Sequence, residues 1–204
     1  MGRKSNREER RAQIASAMIT VMARDGFEKA STASVAREAG LTTGLLHYHF
    51  NTKQEMLLAA VDALAHRFAQ RRAATSPSSA AQALQVFVDA LLKPGRQASA
   101  EEVAAWVVVG AEALRQPEVR QAYAAVMQGL SDDIVELLQA AVVDNGGKRP
   151  PKSKCKAAAA EVLSMATGAF QLSLTTTALP KAWAAKATHQ RLQAFIDAHS
   201  GGGA

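Results

Sequence analysis

The sequence is poor in the residues that crosslink a protein or anchor it in a membrane. Its single cysteine, Cys155, excludes an intramolecular disulfide and leaves too few thiols for a zinc ribbon. Its longest strongly apolar run, AAWVVVGA from Ala104, is far shorter than the roughly 20 residues that a membrane span needs. The N-terminus also lacks the apolar stretch of a signal peptide. We therefore expect a soluble, cytoplasmic protein that does not associate with a membrane.

Common motifs of catalysis and cofactor binding are missing as well. The chain contains no GxSxG nucleophile elbow, no phosphate-binding GxxxxGKS or GxxxxGKT loop, and no GxGxxG motif following a strand. His47 and His49 are two positions apart, which on a helix directs them away from a shared metal ion. The sequence thus predicts no enzymatic activity, no metal site and no cofactor.

Positive charge is present and is concentrated near the N-terminus. The 204 residues carry a formal net charge of +6. Up to Lys53, Lys and Arg outnumber Asp and Glu by nine to five, so most of the excess lies in the first quarter of the chain. A basic segment of this kind permits an anionic partner such as DNA, although a modest net charge alone is weak evidence.

The apolar residues recur at three- and four-residue spacing along nearly the whole chain, with no convincing strand pattern. The sequence therefore predicts an all-α protein of about nine helices. These helices run from Arg7 to Arg24, Ser31 to Gly40, Thr43 to Phe50, Lys53 to Arg72, Ala80 to Lys93, Ser99 to Arg115, Pro117 to Val143, Lys154 to Ala178, and Pro180 to His199.

The second and third of these helices have the pattern of a helix-turn-helix. Ser31 is a suitable N-cap, Gly40 is a suitable stop, and Thr42 caps the next helix at once. Leu46 and Phe50 are four residues apart, so we expect both to pack inward. The remaining face is polar and suits a DNA major groove. The alternative is an ordinary exposed polar helix, which is common after a glycine turn.

The residues of this stretch resemble the DNA-binding domain of the tetracycline-repressor (TetR) family of bacterial transcription regulators. The matching positions are Gly26–Phe27, Ser31–Thr32, Val35–Ala36, Ala39–Thr42, Gly44, Leu46, Tyr48–Phe50, Lys53 and Leu57. The resemblance implies DNA contacts from Ser31, Thr32, Thr42, Thr43, Gly44, His47, Tyr48, His49 and Lys53. His47 departs from the tyrosine that is usual in the family, so its charge can vary near neutral pH.

The resemblance also implies two domains. We place a three-helix DNA-binding domain at residues 1–53 and a helical bundle for effector binding and dimerisation at residues 54–204. The long helix that begins at Lys53 connects the two domains, and the resemblance gives it the role of moving the recognition helix.

The last two helices are apolar over a wide part of their circumference, including Phe170 and Leu172 in one and Trp183 and Phe195 in the other. Such helices need burial on more than one face. We therefore predict a homodimer through these two helices, which would place two recognition helices on a palindromic operator in double-stranded DNA. The alternative is a pair of fully buried helices within a monomer.

The middle helices would enclose a pocket for a small-molecule effector. Candidate contact residues are Phe87, Trp106, Val109, Gly110, Ala113, Met127 and Gln171, although residues of these types at helical spacing are more often plain core. Glu112 is expected to be solvated. Ala105 to Pro117 resembles the BetI-type branch of the family, but Val109 and Gly110 replace the aromatics of that branch, so choline is not predicted.

The sequence therefore predicts a ligand-responsive DNA-binding regulator, most simply a homodimeric repressor released from its operator by the effector. Two alternatives belong to other classes. A helical small-molecule carrier would use the same pocket without salt-dependent DNA affinity. An enzyme would lose a measurable activity on substitution of Glu112 or of a histidine outside the first domain.

Overall fold

A computed structural model describes residues 2–93, 99–180 and 182–201, and these residues form nine α-helices without any strand among them. The helices are α1 (Gly2–Asp25), α2 (Thr32–Glu38), α3 (Thr43–His49), α4 (Lys53–Ala73), α5 (Ala80–Leu92), α6 (Ala100–Ala113), α7 (Pro117–Asp144), α8 (Lys152–Thr175) and α9 (Trp183–Ser200). The prediction of an all-α fold is confirmed.

Five helices begin at a hydroxyl side chain that caps a free backbone N–H group. Ser31, Thr42, Thr52, Ser79 and Ser99 each accept a hydrogen bond from the N–H three residues further on, at 3.0 to 3.2 Å. These bonds satisfy donors that the first turn of a helix leaves without an intrahelical partner. The caps predicted at Ser31 and Thr42 are confirmed.

Some predicted boundaries are wrong. Helix α1 begins at Gly2, five residues before the predicted start at Arg7. Helix α8 runs from Lys152 to Thr175 because Pro151 supplies a preset φ before its first turn and Thr176 adopts an extended conformation after its last. Helix α9 begins at Trp183, three residues after the predicted start. The predicted break at Pro94–Gly95 lies outside the described residues.

The chain divides into two compact units. The first unit comprises Met1–Arg67 and Ser99–Ala124, and the second comprises Phe68–Ala98 and Ala125–Ala204. Helices α4 and α7 each contribute to both units. The first unit thus contains α6 in addition to the helix-turn-helix. The functional boundary between residues 53 and 54 stays a prediction, because packing and function need not divide the chain at the same place.

The first unit has its core around α1. Helix α1 packs against α2, α3 and α6. The fully buried large side chains there are Ile14, Met18, Ile19, Met22, Leu46, Phe50, Met56, Leu57 and Leu64. At about 1.5 to 3 kcal/mol for each large apolar side chain buried, this cluster supplies a substantial driving force for folding.

The second unit buries one face each of α5, α7, α8 and α9. Its core includes Phe87, Ile134, Leu138, Ala159, Val162, Leu192 and Ile196. Towards the end of α8 the burial stops, and Leu172 and Leu174 are exposed. Within the described ranges, none of the helices combines the length and the apolar character that crossing a membrane requires.

Candidate nucleic-acid interface

The turn between α2 and α3 is fixed by its own backbone. Gly40 has a φ of +64°, a left-handed conformation that glycine adopts without strain. The N–H of Gly40 donates to the carbonyl of Arg37, and the N–H of Leu41 donates to the carbonyl of Ala36 at 2.9 Å. These bonds close α2 and set the direction in which α3 leaves the turn.

Helix α3 is held against the rest of the first unit by its two predicted inward residues. Leu46 is completely buried, and Phe50, just after the helix, is 1% exposed. The side-chain amide of Gln13 on α1 donates to the carbonyl of Ala39 at 2.7 Å. Apolar contacts therefore fix one face of α3, and a polar contact from α1 fixes the turn before it.

The opposite face of α3 is open and polar. Thr42, Thr43, Gly44 and His47 are exposed. Tyr48 is 74% exposed, which is unusual for a large aromatic side chain. These five predicted contact residues thus occupy one short helix and its cap. Hydroxyl, imidazole and phenol groups on such a surface can reach base edges and phosphate oxygens.

The start of α2 supplies two further predicted contacts. Ser31 is exposed and Thr32 is half-buried. The Ser31 hydroxyl caps the N–H of Ser34 at 3.0 Å and lies 3.2 Å from the Ser34 hydroxyl. The Ser31 side chain thus has an established role in fixing α2, while its contact with DNA stays a prediction.

His49 is placed differently from its neighbours, because its side chain is only 7% exposed. Its ring packs edge-on against Tyr48, with the ring centroids 5.1 Å apart. Burial, followed by the positive charges of Arg7, Arg11 and Arg10, lowers the pKa of His49. The environment therefore favours a neutral ring. Direct contact with DNA stays a prediction, and the placement indicates a role in supporting Tyr48.

Lys53 is tied to the segment that follows α1. Its ammonium group donates to the carbonyl of Glu28 at 3.0 Å and lies 4.2 Å from the centroid of the Phe27 ring. A lysine has three N–H donors, so the contact with Glu28 leaves donors for a phosphate. The DNA contact of Lys53 stays a prediction. In the structure, Lys53 also holds the start of α4 against the segment that follows α1.

Arg11 is a structural residue of this site that the sequence reasoning missed. Its guanidinium donates to the carbonyl of His49, at the end of α3, and stacks 4.0 Å above the ring of Phe50. A signal was present in the sequence. Arg11 precedes Ile14 by three positions and Met18 by seven, so it lies on the inward stripe of α1.

Four of the candidate effector residues lie on α6 in the first unit. Trp106 is half-buried and meets Tyr123 of α7 with the ring centroids 6.2 Å apart. A Cβ atom added to Gly110 would lie 3.8 Å from the Tyr123 hydroxyl. Val109 and Ala113 are buried in the core. Tyr123 was not among the predicted contacts, although it is one of only two tyrosines in the chain.

The other candidate effector residues belong to the second unit. Phe87 is fully buried and packs edge-on against Phe68 at 5.3 Å. The Arg72 guanidinium lies 4.5 Å from the Phe87 ring centroid and pairs with Asp133. Met127 is half-buried and Gln171 is exposed. That these residues line one pocket with those of α6 stays a prediction.

The expectation that Glu112 is solvated is wrong, since Glu112 is only 5% exposed. It lies on the buried stripe of α6 that also carries Glu102 and Val109. Its carboxylate accepts a hydrogen bond from the side-chain amide of Gln116 at 2.8 Å and lies 3.9 Å from the Arg115 guanidinium. These polar contacts offset part of the cost of burying the charge.

Helices α8 and α9 form an apolar groove of about 770 Å³ on the second unit. A bidentate ion pair crosses it, in which the Arg191 guanidinium donates to both oxygens of Glu161 at 2.8 and 3.1 Å. This pair lowers the pKa of Glu161. The groove is lined by Ala157, Ala160, Glu161, Val162, Ser164, Met165, Gly168, Leu172, Trp183, Ala187, Thr188 and Arg191.

A capped helix-turn-helix with an open polar second helix, followed by further helices, is an architecture that all-α DNA-binding proteins use. Comparison with known families identifies the branch. Residues 14–60 match the family of bacterial regulatory proteins called the tetR family, and residues 80–201 match the C-terminal domain of BetI-type transcriptional repressors. The chain belongs to the TetR family and has a BetI-type C-terminal domain. Members of this family are DNA-binding transcriptional regulators.

Individual relatives agree with this assignment. The chain is 30% identical over 115 residues to the HTH-type transcriptional regulator BetI of Rhizobium meliloti (strain 1021), an alignment that covers 55% of this chain and 56% of the relative. The chain thus spans about half the length of the curated relatives that it matches.

Solved structures share the fold across nearly the whole chain. A putative TetR-family transcriptional regulator from Rhodococcus sp. superposes with a TM-score of 0.80 at 21% identity, covering 93% of this chain and 99% of that one. A putative transcriptional regulator from Saccharomonospora viridis in complex with choline has a TM-score of 0.73 at 21% identity, covering 93% of this chain and 96% of that one.

Proposed function

We propose that this protein is a homodimeric, ligand-responsive repressor of transcription that binds a near-palindromic operator in double-stranded DNA and acts in the cytoplasm. The observation that carries the proposal is the open face of α3, where Tyr48 is 74% exposed on a helix whose other face is fixed by Leu46 and Phe50. A surface that is rigid, polar and convex suits insertion into a major groove.

The proposed contacts fall into two groups. Thr43, Gly44, His47 and Tyr48 lie on α3 and would meet base edges and nearby phosphates. The second group is Ser31, Thr32, Thr42 and Lys53, at the starts of α2, α3 and α4, where backbone N–H groups and a cation favour phosphate oxygens. His49 would act mainly by supporting Tyr48 from beneath.

The proposed dimer forms through α8 and α9. The groove between these helices, together with exposed Leu172 and Leu174, leaves an apolar surface that a second copy of the chain would cover. The same surface on both copies gives a two-fold interface, and two-fold symmetry matches an inverted repeat in DNA.

The proposed effector site lies in residues 54–204, with Trp106, Gly110 and Tyr123 as the best supported contacts. An aromatic pair with a neighbouring glycine offers flat apolar surface to a small molecule. A quaternary ammonium such as choline, the ligand in the Saccharomonospora viridis structure, is best held by several aromatic faces. Arg72 already covers the Phe87 ring in the second unit, so choline is a first probe and not the proposed effector.

The test is selection of bound sequences from a random duplex pool by the purified protein, repeated at two salt concentrations. An enriched inverted repeat, with affinity that falls as salt rises, is the expected result. Recovery of no sequence preference, together with saturable small-molecule binding, would instead support a helical carrier.

The contact assignment is tested with the selected operator. Tyr48→Ala should weaken operator binding about tenfold or more, corresponding to the roughly 1 to 3 kcal/mol typical of a good base contact. Leu114→Ala is the matched control, because Leu114 is 79% exposed and lies outside the proposed interface. Equal affinity of the two variants would refute the role of α3.

A further inference from the structure

One guanidinium group connects three helices of the first unit. Arg67, on α4, donates from Nη1 to the Glu102 carboxylate of α6 at 3.2 Å and from Nη2 to the Ser16 hydroxyl of α1 at 2.7 Å. The planar fork of arginine can hold two such acceptors in fixed directions, which a lysine ammonium cannot do. Arg67 therefore fixes the position of α6 relative to α1 and α4.

This connection is sheltered from water. The Glu102 side chain is 12% exposed and that of Arg67 is 31% exposed. The backbone of Glu102 is itself held, because its N–H donates to the Ser99 hydroxyl that caps α6. A second contact lies beside the first, in which the Thr20 hydroxyl donates to Glu101 at 2.7 Å. A partly buried pair with fixed geometry is screened less by salt than an exposed one.

The helix held in this way also carries the aromatic wall of the proposed effector site. Trp106 and Gly110 follow Glu102 on α6 by one and two turns and face Tyr123. All of these residues belong to the same compact unit as α2 and α3. A ligand that displaces α6 would therefore act on α1, the helix against which the helix-turn-helix packs.

We propose that Arg67 is a positioning residue that couples the Trp106–Tyr123 wall to the operator-binding helices by holding Glu102 of α6 and Ser16 of α1 together. This inference rests on the proposed function. In this proposal the polar cluster of Arg67, Glu102 and Ser16 holds α6 in a fixed position relative to α1. Coupling between two binding sites is reciprocal in binding free energy, so a coupling carried by α6 predicts that operator binding changes the surroundings of Trp106.

That reciprocity gives a test that does not need the effector. The full chain contains two tryptophans, so protein labelled with 5-fluorotryptophan gives two ¹⁹F resonances, and a Trp106→Phe sample identifies the one from Trp106. We expect saturation with the selected operator duplex to shift the Trp106 resonance. In Arg67→Met and in Glu102→Gln, that shift should shrink at least twofold.

A double variant separates coupling from stability. Removing one member of a buried ion pair is costly, whereas removing both charges is often close to neutral. Arg67→Met combined with Glu102→Gln should therefore regain the unfolding midpoint of the parent while its Trp106 shift stays small. Glu38→Gln is the matched control, because it breaks the exposed Arg24–Glu38 pair of 3.1 Å in the same unit without touching α6.

The outcomes are distinguishable. A Trp106 shift that is reduced in the three pair variants and unchanged in Glu38→Gln supports the inference. Operator binding with no Trp106 shift in the parent, or with equal shifts in all variants, overturns it and leaves the proposed function intact. Failure of the parent to bind any selected duplex overturns both.

Discussion

The helix-turn-helix and the α8–α9 pair differ in how far contacts within one chain cap their helix ends and cover their apolar side chains. Helices α2 and α3 begin at side-chain caps, and α1 donates to the carbonyls of Ala39 and His49. Helices α8 and α9 begin without a side-chain cap bond, and Leu172 and Leu174 of α8 are exposed, as is Leu179 between the two helices. The contacts that hold the first region come from the same chain, whereas the second region presents an apolar surface that a single chain leaves exposed.

This difference indicates what each surface is suited to meet. The free face of α3 is polar, so water can solvate it in the unbound protein and DNA can replace that water with matching groups. The free face of α8 and α9 is apolar, so removing it from water by covering it with another apolar surface is favourable. The proposed assignments of DNA to the first region and a second copy to the other follow from this contrast.

The largest expected effect comes from placing a charge on the open apolar face. Leu172→Lys should raise the dimer dissociation constant about 100-fold or more, because an unpaired charge costs several kcal/mol when it is buried and the two-fold axis repeats it. Leu172 is 38% exposed in a single chain, so the monomer should still fold. Sedimentation velocity over a range of concentrations measures the change.

The control for that substitution is Leu114→Lys, on a residue of the first unit that is 79% exposed. It adds the same charge outside the proposed interface and should leave the assembly unchanged. If Leu172→Lys sediments like the parent, α8 and α9 do not form the dimer interface.

A smaller effect is expected where the helix-turn-helix is held by α1. Arg11→Leu removes the hydrogen bond to the His49 carbonyl and the contact of the guanidinium with Phe50. The loss should lower the free energy of unfolding by about 2 kcal/mol, given the usual contributions of a charged hydrogen bond and a cation–π contact. Urea unfolding measures it. Arg7→Leu, on an exposed residue of the same helix, should change stability little, and equal losses would contradict this role of Arg11.

Periodicity and capping predicted the framework of the fold well. Leu46 and Phe50 point inward as their spacing requires, and Ser31, Thr42 and Ser99 cap helices as their residue types favour. These features depend on neighbours in sequence. They can therefore be predicted from the local sequence alone.

Features that depend on distant neighbours were not predictable in the same way. Glu112 is buried because α6 packs on α1, a contact between segments far apart in sequence. His49 is buried although its neighbours Tyr48 and His47 are exposed, because α1 passes beneath the end of α3. In both cases tertiary packing decided the environment of a polar residue whose local sequence suggested a solvated position.

Loss of the Thr42 cap of α3 should lower the free energy of unfolding by about 1 kcal/mol. Thr42→Ala removes the hydroxyl that accepts the N–H of Leu45 at 3.2 Å, while Thr42→Ser keeps an acceptor at the same position. We expect lower unfolding free energy for the alanine variant and near-parental stability for the serine variant. Calorimetry of both proteins at one pH tests this, and equal melting temperatures would show that the cap is unimportant.

The smallest expected effect is a dependence of stability on pH through His49. Burial and the charges of Arg7, Arg11 and Arg10 lower the pKa of His49 in the folded state below its ordinary value of 6.5. As the pH falls below about 6.5, His49 is therefore protonated in the unfolded chain while it is still neutral in the folded protein. Protonation thus stabilises the unfolded state and lowers the free energy of unfolding. Above that pH the ring is neutral in both states, so the contribution is flat.

His49→Phe keeps an aromatic ring against Tyr48 but cannot titrate, so it should lose less stability than the parent between pH 7 and pH 5. The carboxylates of Asp25 and Glu161 do not obscure this window, because ion pairing with Arg24 and Arg191 lowers their pKa values and shifts their effect to more acid pH. Urea unfolding at pH 7 and pH 5 gives the comparison. If parent and variant lose the same stability over this interval, His49 is not the group responsible for the loss of stability between pH 7 and pH 5.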